Sequence, residues 1–99
     1  MARLRFRPRA DQDLKRIYNF VADFAGSASA RTIIAGIEAH CQTLLDYPRR
    51  GTPHPELRPG LRTVPLGKAV IAYRVENRNV IIVRIRYGGQ QLRPQDVTD

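Results

Sequence analysis

The chain has one cysteine, no tryptophan, one methionine and, among its 17 basic residues, only two lysines. A lone thiol, Cys41, cannot close an internal disulfide, and such usage fits a reducing compartment. No apolar run approaches the roughly 20 residues of a membrane-spanning helix, and "MARLRFRPR" lacks the apolar stretch of a secretory signal. The expected address is therefore the cytoplasm, with no membrane partner. Also missing are His/Cys/Asp/Glu sets at metal-ligand spacing, a Gly-rich loop leading from strand into helix, a Ser/His/Asp arrangement and paired carboxylates. No metal, no other cofactor and no catalytic residue is expected.

With 99 residues the chain suffices for one domain, expected to span 1–99, with one modest core. Hydrophobic residues at 42% and charged residues at 26% are ordinary for a globular chain. Seventeen Lys and Arg against nine Asp and Glu leave a net charge of +8. Such a field selects an acidic partner. Nucleic acid is the common reading, but an acidic protein segment satisfies the same electrostatics.

The Pro- and Gly-dense stretch "YPRRGTPHPELRPG" divides a helical half from a strand half. Before it, "RLRFRP" alternates Arg3, Arg5 and Arg7 with Leu4 and Phe6, the period of a half-buried strand. Pro8 suits a first helical turn, where its missing N–H costs nothing. Ala10, Leu14, Ile17, Tyr18, Val21 and Phe24 then recur at three- and four-residue steps, which predicts a helix ending near Gly26. A second helix carries Ala30, Ile34, Ile37, Cys41, Leu44 and Leu45 on one face, with Ser27 or Ser29 as its cap and Pro48 as its stop. So short a connection makes the pair an antiparallel hairpin. Cys41 reads as a small buried hydrophobe rather than a nucleophile.

After the loop, "LRTVPLG", "KAVIAYRVE" and "NVIIVRIRY" predict a three-stranded antiparallel meander with turns at Gly67–Lys68 and Asn77–Asn79. Pro65 cannot donate to a ladder, so its strand is expected at an edge. The expected class is α+β, with an N-terminal strand, the helical hairpin and the meander, and with both helices on one face of the sheet. Strict alternation puts Ile71, Tyr73, Val75, Ile81, Val83 and Ile85 against the helices. Arg74, Arg84 and Arg86 then emerge together on the other face. Tyr87 follows them at the strand's end, and Arg62 has no clear face. Arginines with a tyrosine bind anions well but make poor general bases at neutral pH, so this set reads as a recognition surface.

The order β, α, α, β, β, β and the residues of "GTPHPELRPGLRTVPLGKAVIAYRV" resemble the ParE-type toxins of bacterial toxin–antitoxin pairs, within the wider RelE/ParE superfamily. Gly51, Pro55, Glu56, Leu57, Gly60, Leu61, Arg62, Pro65, Gly67, Ile71, Tyr73 and Val75 carry the likeness. Ala10, Asp13, Leu14, Ile17, Ala30, Ile37, Leu44 and Pro48 extend it through the helices, and Val80, Arg84, Ile85 and Gly88 through the last strand. The resemblance implies a toxin neutralised by a ParD-like antitoxin with an acidic C-terminal segment, and DNA gyrase as target. No sequence-specific nucleic-acid binding is then expected, and Arg62, Arg74, Arg84, Arg86 and Tyr87 are candidates for contact with target or antitoxin. Two other readings stand beside it: a ribosome-dependent mRNA endonuclease of the RelE branch, with Arg84, Arg86 and Tyr87 at its centre, and a member that only binds its antitoxin. Tyr87 stands where many relatives carry histidine.

Overall fold

The computed structural model describes residues 1–98. It forms β1 (Leu4–Phe6), α1 (Pro8–Ala25), α2 (Ser27–Thr43), β2 (Thr52–Pro53), β3 (Arg62–Leu66), β4 (Ala69–Glu76), β5 (Asn79–Tyr87) and a closing 3-10 turn, Pro94–Val97. Pro8 opens α1, and the helices are joined through Gly26 alone, at φ +92°. Glycine adopts that conformation without a Cβ penalty. Neither serine caps α2, because Ser27 already lies inside the helix and Gly26 takes the cap position.

The meander is part of a larger sheet, five strands in the order β1-β5-β4-β3-β2. β1 pairs with β5 in parallel, Leu4 opposite Val80 and Phe6 opposite Ile82. A parallel neighbour needs a long crossover, and the α1–α2 hairpin with β2 to β4 supplies it. At the far side β2 covers β3 only at Arg62 and Thr63, so Pro65 still faces an open edge. Gly67 turns β3 into β4 at φ +57° and Asn77 turns β4 into β5 at φ +58°, values that suit tight hairpins. No helix among the described residues is long and apolar enough to cross a membrane.

Ala10, Leu14, Ile17 and Val21 of α1 and Ala30, Ile37, Cys41 and Leu44 at α2 pack on Ile71, Tyr73, Val80, Ile82 and Ile85. Phe24, expected on this stripe, is exposed, as is Phe20. Their rings meet edge to face, 5.2 Å apart, on the outer side of α1. The expected alternation of β5 also fails, for a definable reason. Ala72 pairs with Arg84 but Tyr73 pairs with Ile82, so Val83 is an extra residue. A β-bulge of this kind shifts the face of everything that precedes it. Val80 and Ile82 therefore face the helices, while Val83 lies on the opposite face in a second core with Leu61, Ala72 and Val97.

The loop before the meander is tied to Tyr73. Its hydroxyl donates to the Pro48 carbonyl (2.8 Å) and accepts from the Gly51 N–H (3.0 Å). A Cβ on Gly51 would lie 2.5 Å from that hydroxyl. Only glycine fits there.

Candidate functional site

The early end of β1 decides what Arg84 of β5 reaches. β1 ends opposite Ile82, which leaves the Ile85 N–H on an open strand edge. Asp13 of α1 fills that edge, its Oδ2 accepting from Ile85 N (2.9 Å). Arg84 donates to the same carboxylate twice, from Nε to Oδ2 (2.8 Å) and from Nη2 to Oδ1 (3.0 Å). Arg16, one turn along α1, adds a bond to Oδ1 (3.1 Å). Asp13 is 1% exposed and Arg84 7%. A buried ion pair is tolerable only with such complete hydrogen bonding, and the Asp13 bond raises the affinity of Arg84 for its proton, against the opposing effect of burial. Arg84 is thus an interior residue. The expectation that it is exposed is corrected: Arg84 keeps its expected place beside Arg86, both reaching Asp96, but because β1 stops at Phe6 its guanidinium reaches Asp13 past the open edge of β5 and is buried there.

Arg84 also reaches the chain's end, donating from Nη1 to the Asp96 carbonyl (3.2 Å). Arg86 pairs with the Asp96 carboxylate, Nη2 to Oδ2 at 2.8 Å. Burial opposes ionisation of Asp96, but the hydrogen bonds from Arg86 and the Arg93 N–H, with the charges of Arg86 and Arg84, outweigh it and hold this carboxyl below its usual range. The other candidates lie apart. Arg62 is a loop clamp, its Nη1 donating to the carbonyls of Arg49 (2.9 Å) and Gly51 (2.8 Å). Arg74 pairs with Glu76 at 2.8 Å. Tyr87 is half-buried, its ring centroid 6.3 Å from that of Phe20. With Arg16, Ile17, Phe20, Gly88 and Gln90 it lines a groove of about 300 Å³.

Sequence reasoning missed Asp13 and Asp96 as partners of this network. Asp13 had a signal: it stands at the three-residue step after Ala10 and four before Ile17, on the apolar stripe, where an acid needs a buried cation. Asp96 had none that local pattern could supply. Among the described residues no group of three or more His, Cys, Asp or Glu could hold a metal ion. His54 instead pairs with Glu56 at 2.9 Å, and His40 accepts from Arg50 at 3.1 Å, burial and the Arg50 charge lowering its affinity for a proton.

The family model described as "ParE toxin of type II toxin-antitoxin system, parDE" matches residues 4–92. Toxin ParE3 of Caulobacter vibrioides is 34% identical over 92 residues, covering 93% of this chain and 91% of its own. Among solved structures, the chromosomal ParDE toxin–antitoxin system from P. aeruginosa superposes with a TM-score of 0.77 at 26% identity, covering 88% of this chain and 96% of that one. The toxin–antitoxin complex RelBE2 from Mycobacterium tuberculosis shares the fold, with a TM-score of 0.65 at 22% identity over 86% of this chain and 95% of that one. The helical hairpin on a five-stranded sheet, with its family match across both halves, makes the chain a member of the ParE toxin family of type II toxin–antitoxin systems.

Proposed function

We propose that this toxin acts in the cytoplasm by binding, with DNA gyrase as its target, and that a cognate ParD-like antitoxin neutralises it through an acidic C-terminal segment. The observation that carries the binding reading is the engagement of Arg84, Arg86 and Tyr87 within the fold. Arg84 is buried against Asp13, Arg86 is paired with Asp96, and the Tyr87 ring packs beside Phe20. An RNA-cleaving centre needs such arginines on the scissile phosphate and the hydroxyl placed for proton transfer. Membership of the ParE family supports gyrase as the target. The net charge of +8 supports an acidic antitoxin segment, and the ParDE system named for the P. aeruginosa relative supports a toxin–antitoxin pairing.

On this reading the partner-facing residues are Arg74 and Tyr87, with Arg62, Arg84 and Arg86 holding the loop, the strand and the closing turn behind them. Purified chain added to gyrase should inhibit supercoiling, while mRNA on programmed ribosomes stays intact. Tyr87→Phe should leave growth arrest nearly unchanged at matched protein level, whereas a proton-transfer role would lose about 10²- to 10⁴-fold in rate. Ribosome-dependent cleavage that disappears with this hydroxyl would replace the binding reading with the endonuclease one.

A further inference from the structure

The closing turn sits on the sheet as a ligand sits in a site. Val97 is fully buried against Leu61, Ala72 and Val83. Beside it the Asp96 carboxylate lies on Arg86, and Arg58 Nη1 donates to the Val97 carbonyl at 2.7 Å. An apolar socket, a cationic slot and a main-chain contact are the parts of a peptide-recognition site.

We propose that Asp96 and Val97 occupy, in cis, a docking site on the helix-free face of the sheet, and that an acidic–aliphatic segment of a protein partner can take their place. Three observations make the cis occupant replaceable. It uses the slot incompletely: Arg86 Nε is buried with no hydrogen-bond partner, whereas a carboxylate set side-on would take Nε and Nη2 together. The turn is only four residues long, and it is joined to β5 through Gly88 and Gly89 at φ +74° and +86°, a connection with little backbone stiffness. Finally, Arg93–Val97 lies outside residues 4–92 that the family model matches, whereas Leu61, Ala72, Val83 and Arg86 beneath it lie within them. The occupant is a carboxylate segment rather than a phosphate chain because an Asp–Val pair already satisfies both halves of the site.

The full-length chain and its Asp96→Asn/Val97→Ser variant would be titrated with a fluorescent peptide of sequence RPQDVT, with RPQNVT as control. In the wild type the tether holds the cis segment at roughly millimolar effective concentration, so the peptide should bind the variant at least about 10-fold more tightly than the wild type. RPQNVT should lose about 10-fold or more of that affinity, the usual worth of a charge-assisted hydrogen bond. Arg86→Gln in the variant background should have the same effect. Equal affinity for both chains, or no binding to a folded variant, would overturn the proposal. Should the variant not fold, amide exchange of the wild type decides. The Asp96 N–H, bonded to the Arg93 carbonyl, should lose protection in raised salt while that of Ile71 is retained. Loss of both in parallel would show the turn to be part of the global core and overturn the idea.

Discussion

At the residue scale, the Asp13–Arg84 pair dictates the local geometry, because four donors converge on one buried carboxylate: two from Arg84, one from Arg16 and the Ile85 N–H. Removing one partner strands the other's charge in the interior. Asp13→Ala should therefore cost about 3–5 kcal/mol in denaturant unfolding, while Asp13→Leu combined with Arg84→Met should cost clearly less than the sum of the single changes. Additive costs would mean that the pair is not coupled. The thiol of Cys41 gives a second expectation at this scale. Burial first, and the nearby Glu38 charge second, push it up to about 12, so almost no thiolate exists at neutral pH. Iodoacetamide should label the native chain far more slowly than the denatured chain. Equal rates would place Cys41 outside the core.

At the element scale, α2 is held by what it buries rather than by its caps, since no side chain caps its N-terminus. Leu44, fully buried where the helix ends, packs into the same cluster as Ile37 and Tyr73. Leu44→Ala should cost roughly 2–5 kcal/mol, through lost burial and the cavity left behind, read as a fall in denaturant midpoint. The closing turn responds to pH instead. A carboxyl depressed in the folded state, as Asp96 is, contributes stability that is fully present above its unfolded value of about 3.9. That contribution fades as pH falls through the lower folded value. Exchange at the Asp96 amide should thus rise, relative to the unfolded-chain rate at each pH, below about pH 4. Asp96→Asn should abolish that dependence.

At the scale of the whole molecule, charge and apolar surface point to an assembled state. Phe20 and Phe24 stand exposed on α1 beside the Tyr87 groove, and 17 basic against nine acidic residues repel a second copy more than an acidic partner. A cognate antitoxin at 100 times its dissociation constant should add about 2.7 kcal/mol of stability, visible as a raised Tm. The association rate should fall with salt as the long-range attraction is screened. A midpoint that saturating antitoxin leaves unmoved would remove the partner from the account.

The sequence by itself determined what depends on near neighbours. Three- and four-residue steps gave both helices and, Phe24 apart, their buried faces, glycine and asparagine marked the turns at Gly67 and Asn77, and the core positions Leu14, Ile37, Leu44 and Tyr73 were legible from pattern, while Val83 is buried but on the face opposite to the one expected. The net charge and the family likeness were equally readable. The tertiary structure alone decided the parallel pairing of β1 with β5, the bulge at Val83 and the burial of Arg84. Strict alternation assumes one residue per pleat on both strands, and a single extra residue reverses the faces on one side of it. Period alone cannot reveal that residue. Asp13 and Arg84 are 71 positions apart, as distant in sequence as they are adjacent in space, so their meeting is a property of the packed sheet. The docking of Asp96 and Val97 is of the same kind: no periodicity connects a short polar tail to the strand it covers, and only the assembled face supplies the socket and the cation that hold it.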